Sequence, residues 1–160
     1  MKKLITVLLF TAIMSGCNFS KGIKTEFSTG LTYSYNGFRI DDVKVLNSSL
    51  NPIKGKKHAE GTVLRIELHG IKGYAVENGK IYPGCSVGVT DNEQNIILKN
   101  EDIFKDYETT ADHFAVPYIN LSFGNSFLAG KEYELNAHFY DKKKPENIID
   151  IKLKFEIVAK

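Results

Sequence analysis

The sequence predicts an all-β domain, specifically an antiparallel β-sandwich, from three observations. Apolar and polar residues alternate with a period of two over several segments, which places one face of each segment on a core and the other in water. Turn-forming residues separate these segments. Only residues 100–107 have a helical pattern, and they are long enough for one or two turns. A chain of short strands with almost no helix favours two packed sheets.

The alternating segments identify the strands that should be half-buried. Residues 64–69 read LRIELH, so their apolar side chains face one way while Arg65, Glu67 and His69 face the other. Residues 38–45 alternate with a one-residue slip at Asp41-Asp42, which predicts a β-bulge. The two other alternating segments are residues 133–139 and 149–157, the second being the longest.

Turn residues predict how these strands are joined. Asn78-Gly79 is the favoured dipeptide of a type I′ hairpin and places Glu77 opposite Lys80 as a cross-strand pair. Pro117 has no N–H to donate, so the segment around it is expected to be an edge strand or to break there. Further turns are expected at residues 91–95, 124–130 and 141–147.

The domain formed by these strands is expected to span residues 30–160. In architecture it resembles immunoglobulin-like sandwiches. Tryptophan is absent and no second cysteine is available to pair with Cys85, so the antibody-type core signature is missing. The resemblance is therefore to the architecture and to no named family.

The N-terminal segment has the three parts of a secretory signal. Lys2 and Lys3 are followed by the apolar run from Leu4 to Met14, and Ser15-Gly16 supplies small residues before Cys17. As a helix this run would extend about 16 Å, well short of the roughly 30 Å hydrocarbon core of a bilayer. A cleaved signal peptide over residues 1–16 is therefore expected, with Gly16 as the last residue removed.

The tetrapeptide Met14-Ser15-Gly16-Cys17 resembles the lipobox of bacterial lipoproteins, with Met14 in place of the commoner leucine. The resemblance implies a diacylglycerol on the Cys17 sulfur and an acyl chain, such as palmitate, on its amine. Asn18 stands where an aspartate would favour inner-membrane retention, which points to the outer membrane, with the periplasmic side favoured and surface exposure left open. Residues 17–29 are expected to be the lipidated terminus and a flexible tether.

Composition limits the possible partners. Lys2 and Lys3 account for the formal charge of +2, so residues 17–160 are neutral and nucleic acid is not an expected partner. With Cys17 lipidated, Cys85 would be the only remaining thiol, which excludes an internal disulfide. No cofactor is expected.

Catalytic and metal-binding motifs are weak. Residues 84–88 read GCSVG and match the Gly-x-Ser-x-Gly string of serine hydrolases, but valines continue as a strand where that motif needs a helix after Ser86. We therefore predict no enzyme, and we expect Cys85 to be a small buried or semi-buried residue. None of His58, His69, His113 and His138 has metal-ligand spacing, although His69 and His138 could meet if their strands pair.

Three tyrosines beside predicted turns, Tyr74, Tyr82 and Tyr118, are candidates for ligand contact. The hypothesis that follows is a membrane-anchored, extracytoplasmic, non-catalytic interaction module for a protein or an envelope glycan. The alternative is a small-ligand or carbohydrate-binding accessory protein of an envelope uptake or degradation system. A hydrolase acting through Ser86 or Cys85 is a third possibility.

The lipid anchor is directly testable. Cells fed a labelled fatty acid should label this protein, and Cys17→Ala should abolish both the label and retention in the membrane, because two acyl chains suffice for stable anchoring. Gel fluorography of membrane and soluble fractions measures both. An unlabelled wild-type protein would contradict the anchor.

Overall fold

A computed structural model describes residues 20–160, so the predicted signal peptide and the lipidation of Cys17 lie outside the described residues. This part of the chain contains ten strands and no helix. The strands are β1 (Lys21–Glu26), β2 (Leu31–Asn36), β3 (Asp42–Leu46), β4 (Lys57–Ala59), β5 (Val63–His69), β6 (Pro83–Asp91), β7 (Ile96–Asn100), β8 (Tyr118–Ser122), β9 (Glu132–Asp141) and β10 (Lys144–Val158).

The strands form two sheets, as the sequence predicts. The large sheet has the order β1-β2-β10-β9-β6-β7, and β4 adds to β10. The small sheet has the order β3-β5-β8. All pairs are antiparallel except that between β4 and β10. The all-β prediction is therefore confirmed, and the arrangement is that of a β-sandwich.

The core lies between the inner faces of the two sheets. Alternate residues of β10, from Ile149 to Ile157, are buried, while Lys152 and Lys154 between them are exposed. Leu64, Ile66 and Leu68 of β5 are fully buried on the small sheet. Aromatic rings fill one end of the core, where Phe155 packs against four neighbours: His58, Phe123, Phe127 and Tyr133.

Strand pairing defines two ends of the sandwich. Long loops over residues 70–82 and 101–117 lie at one end, which we name the loop end. Five residues are in register across this end of the large sheet: Lys21, Asn36, Ile148, Tyr140 and Gly84. The opposite end, which we name the turn end, carries the turns at residues 27–30, 47–51 and 92–95.

The predicted tether is partly wrong, because residues 21–26 form edge strand β1. Six registered residues pair β1 with β2. Gly22 allows close packing, since a Cβ at this position would lie 2.6 Å from the Tyr35 hydroxyl oxygen. Five of the six residues of β1 are exposed, so no alternating pattern marks this strand in the sequence.

The helix predicted over residues 100–107 is also absent. The Asp102 carboxylate turns inward and accepts hydrogen bonds from the backbone N–H groups of Cys85 and Phe104, both at 2.9 Å. Its second oxygen lies 2.9 Å from Lys142 Nζ. These contacts hold the segment in consecutive turns that close over the sheet.

The predictions for Asn78-Gly79 and Pro117 are confirmed. Asn78 and Gly79 both have positive φ angles, 52° and 77°, as a type I′ turn requires. Glu77 and Lys80 lie opposite each other, as predicted, and exchange two backbone hydrogen bonds of 2.9 Å. Their side chains turn to other partners, since Glu77 contacts Lys143 and Lys80 contacts Glu108. β8 starts immediately after Pro117 and is an edge strand, as predicted.

Phe155→Ala should lower the free energy of unfolding by about 3–5 kcal/mol, because it leaves a cavity among the packed aromatic rings. The adjacent Lys154→Ala, on the exposed face of the same strand, should change it by less than about 0.5 kcal/mol. Urea denaturation of both variants measures the difference. An equal loss in the two variants would contradict the two-faced packing of β10.

Candidate ligand-binding face

The outer surface of the large sheet carries an open groove of about 600 Å³. We name this surface the polar face, because the side chains that point outward into the groove carry hydroxyl, amide, imidazole and charged groups. The outward-facing residues come from β2, β10, β9 and β6, from the end of edge strand β7 and from the residue that follows it: Thr32, Ser34, Ser86, Gly88, Lys99, Glu101, Asn136, His138, Asp150, Lys152 and Lys154.

Small residues on β6 make the groove deep enough to hold a ligand. Ser86 and Gly88 point outward on β6, the strand next to the edge of the sheet, between the longer side chains of β7 and β9. A Cβ on Gly88 would meet nothing closer than the Leu98 carbonyl oxygen at 3.9 Å. The space above Gly88 is therefore open, and a side chain introduced there would fill the groove without straining the sheet.

Three polar residues form a row across neighbouring strands of the polar face. Ser86 on β6 is opposite His138 on β9, and His138 is opposite Asp150 on β10. His138 Nδ1 lies 2.6 Å from Asp150 Oδ1. Because an ionised carboxylate only accepts hydrogen bonds, Nδ1 is the donor and Nε2 is left to contact a ligand.

Tyr140 flanks this row on the loop-end side. Its ring stacks on His138 with centroids 5.6 Å apart and also covers Gly84, where a Cβ would overlap it. Burial and the nearby Asp102 carboxylate raise the pKa of Tyr140, so its hydroxyl stays neutral. The ring therefore holds the imidazole in place and provides an apolar edge to the groove.

Charges on the turn-end side of the groove largely cancel. Glu134 lies 3.3 Å from Lys152 Nζ and 3.5 Å from Lys154 Nζ. Burial alone would raise the pKa of Glu134, but the hydrogen bond from Asn136 and the charge of Lys152 lower it overall. Lys99 pairs with Glu101 on the opposite side at 2.6 Å. With donors and acceptors mixed and the charges paired, the groove suits an uncharged, hydrogen-bonding ligand better than a polyanion.

The three tyrosines expected to contact a ligand do not lie together. Tyr74 packs in the core against Phe38 and Phe114, with ring centroids 4.6 Å and 5.8 Å away, and burial raises its pKa. Tyr82 lies beneath Lys143 at the loop end. Tyr118 lies on the outer face of the small sheet beneath the Arg65 guanidinium. The loops beside these residues all lie at the loop end, but the three rings point to different surfaces, which sequence position does not reveal.

Cys85 is fully buried on β6, and its N–H is held by Asp102. Burial raises the pKa of its thiol, so the side chain is a small apolar group and not an exposed nucleophile.

The histidines are dispersed. His69 and His138 do not meet, because β5 and β9 belong to different sheets and both side chains point away from the core. His58 stacks on Phe123 in the core, while His113 lies on an exposed loop beside Thr110. Across residues 20–160, no three histidine, cysteine or acidic side chains cluster in a way that could hold a metal ion.

No family model matches this chain, and no curated protein matches it. Across residues 20–160 there is no helix with the length and apolarity needed to cross a bilayer. The protein is thus defined by its architecture, an all-β sandwich, and by the polar groove on its large sheet.

Proposed function

We propose that this protein is a lipid-anchored, extracytoplasmic binding module whose polar face holds a hydroxyl-rich ligand such as an envelope glycan. The observation that carries the proposal is the groove above Ser86 and Gly88, with Asn136, His138 and Asp150 along one side of it. We also propose that the sandwich is of the immunoglobulin-like type, which its two packed antiparallel sheets support.

The chemistry of the groove favours a glycan over an apolar ligand. Sugar hydroxyls both donate and accept hydrogen bonds, and the groove offers hydroxyl, amide, imidazole and carboxylate partners on a rigid sheet. Tyr140 provides one ring edge against which a sugar could pack. Because the sheet backbone is already paired, binding requires no refolding of the site.

The proposed anchor supports the same assignment. Acylation of Cys17 would hold the domain at the envelope, with the outer membrane as the expected site and the periplasmic side favoured. Envelope glycans are concentrated there, so a module of modest affinity could remain bound. If the glycan is a nutrient, the protein would bind it as an accessory component of an uptake or degradation system.

Gly88→Trp tests the groove directly. Titration of isotope-labelled protein with a panel of glycan fragments should shift amide signals at Ser86, Asn136 and His138, and Gly88→Trp should weaken the binding at least tenfold. Gly124→Trp is the matched control, because a Cβ at Gly124 meets nothing within 4 Å and this glycine lies at the turn end, away from the groove. Undiminished binding by Gly88→Trp, or no shift with any fragment, would contradict the proposal.

The row of Ser86, His138 and Asp150 favours a second candidate, hydrolysis of an ester carried by the ligand. The residues have the order of a nucleophile, a general base and the acid that orients the base. Ser86 Oγ would attack the ester carbonyl and pass its proton to His138 Nε2, which would then protonate the leaving alkoxide. Water would release the acyl group by the same steps. Among the described residues Ser86 Oγ has no hydrogen bond to His138, so this candidate ranks second.

A fluorophosphonate probe distinguishes the two candidates. If the row is catalytic, the wild-type protein should react with the probe, and Ser86→Ala or His138→Ala should abolish the reaction. Ser122→Ala, at an exposed serine on edge strand β8 of the small sheet, should leave it unchanged. Mass spectrometry of the intact protein measures the adduct. An unlabelled wild-type protein would exclude the hydrolase and leave the binding module standing.

A further inference from the structure

We propose that the loop end of the sandwich lies against the bilayer and binds anionic phospholipid headgroups through Lys21, Arg39 and Lys72. This inference rests on the proposed acylation of Cys17. It adds a defined membrane-contacting surface and a fixed orientation to an anchor that would otherwise only hold the domain nearby.

The first argument is the length of chain between the anchor and the fold. The Ser20 carbonyl oxygen accepts a hydrogen bond from the Gly37 N–H at 2.7 Å, and β1 begins at Lys21. Only Asn18 and Phe19 separate Cys17 from Ser20. Three residue steps span at most about 10 Å. A headgroup layer is roughly 5–8 Å thick on each side, so the loop end cannot move clear of it.

The second argument is the charge around the point where the chain joins the domain. Ser20, Gly37, Arg39, Lys72 and Gly73 line a shallow depression of about 340 Å³. Arg39 and Lys72 are fixed to each other by two backbone hydrogen bonds of 2.9 Å, and both residues are exposed. Lys21 follows Ser20 directly and is exposed as well. Two cationic residues therefore line the depression where the chain joins the domain, and a third, Lys21, lies beside it in the chain.

Three other lysines of the loop end are already paired within the domain, whereas Lys105 and Lys144, like the three cations, have no ion pair among residues 20–160. Lys80, Lys142 and Lys143 each pair with a carboxylate of the domain. Among residues 20–160, no carboxylate oxygen lies within the 4.0 Å ion-pair limit of Lys21, Arg39 or Lys72. Asp41 and Glu146 also lie near the point where the chain joins the domain, so three cations face two acids there.

Phosphate is the chemistry that these groups recognise. Arginine presents a planar fork of donors to phosphate oxygens, and lysine adds a point charge. Each cation near an anionic surface should improve association roughly fivefold. With the loop end on the membrane, the strands stand upright, the polar face opens to the side and the turn end points away.

The test uses the lipidated full-length protein in nanodiscs of phosphatidylcholine, with or without one third phosphatidylglycerol. A paramagnetic lipid headgroup should broaden the amide signals of Gly37, Lys72 and Gly73 and leave those of Leu50 and Asn92 sharp, with stronger broadening when phosphatidylglycerol is present. Arg39→Gln/Lys72→Gln should reduce the broadening at Gly37 and Gly73 at least threefold. Lys54→Gln/Lys56→Gln, exposed lysines of the turn end, form the matched control and should have no effect.

The outcomes separate this inference from the anchor itself. If the protein acquires no fatty acid, the proposed function itself is contradicted. A lipidated protein broadened equally at both ends overturns the orientation while the anchor stands. Broadening that is confined to the loop end but independent of phosphatidylglycerol and of Arg39 and Lys72 overturns the headgroup contact.

Discussion

The pairing of β10 with its neighbours is the interaction on which the rest of the structure depends. This 15-residue strand pairs with β9 and β2 on its two sides and with β4 near its C-terminal end. Its inward side chains occupy the centre of the core, and its outward side chains contribute Asp150, Lys152 and Lys154 to the groove. A one-residue change of register would exchange the two sets, so burial of Ile151 and Leu153 also determines which residues a ligand meets.

The polar face illustrates how a binding surface can arise from a regular sheet. Nothing in the row of Ser86, His138 and Asp150 requires an unusual backbone, because each residue occupies an ordinary outward position. What distinguishes the site is the difference in side-chain size between neighbouring strands: the outward side chains are small on β6 and larger on β7 and β9. The shape of the groove therefore depends on Ser86 and Gly88 as much as on the charged residues beside them.

Much of the fold is predictable from the sequence, because burial of one face leaves a period of two. β5, β9 and β10 follow that pattern. Asn78-Gly79 forms the expected turn, and Pro117 precedes the expected edge strand. β1 could not be predicted, because most of its residues are exposed and so do not alternate. The turns around Asp102 could not be predicted either, because the partners of its carboxylate, Cys85 and Lys142, are distant in sequence. The row on the polar face could not be predicted either, since its three residues become neighbours only when the strand order β10-β9-β6 is known.

The place of β1 at the edge of the large sheet has a mechanical consequence. Tension on an N-terminal anchor would pull Lys21 outward along the strand axis, while the rest of the domain resists through β2. The six registered residue pairs would then be loaded together in shear, and not opened one after another as in peeling. The direction in which the chain leaves the sheet thus makes a short edge strand a force-resistant attachment.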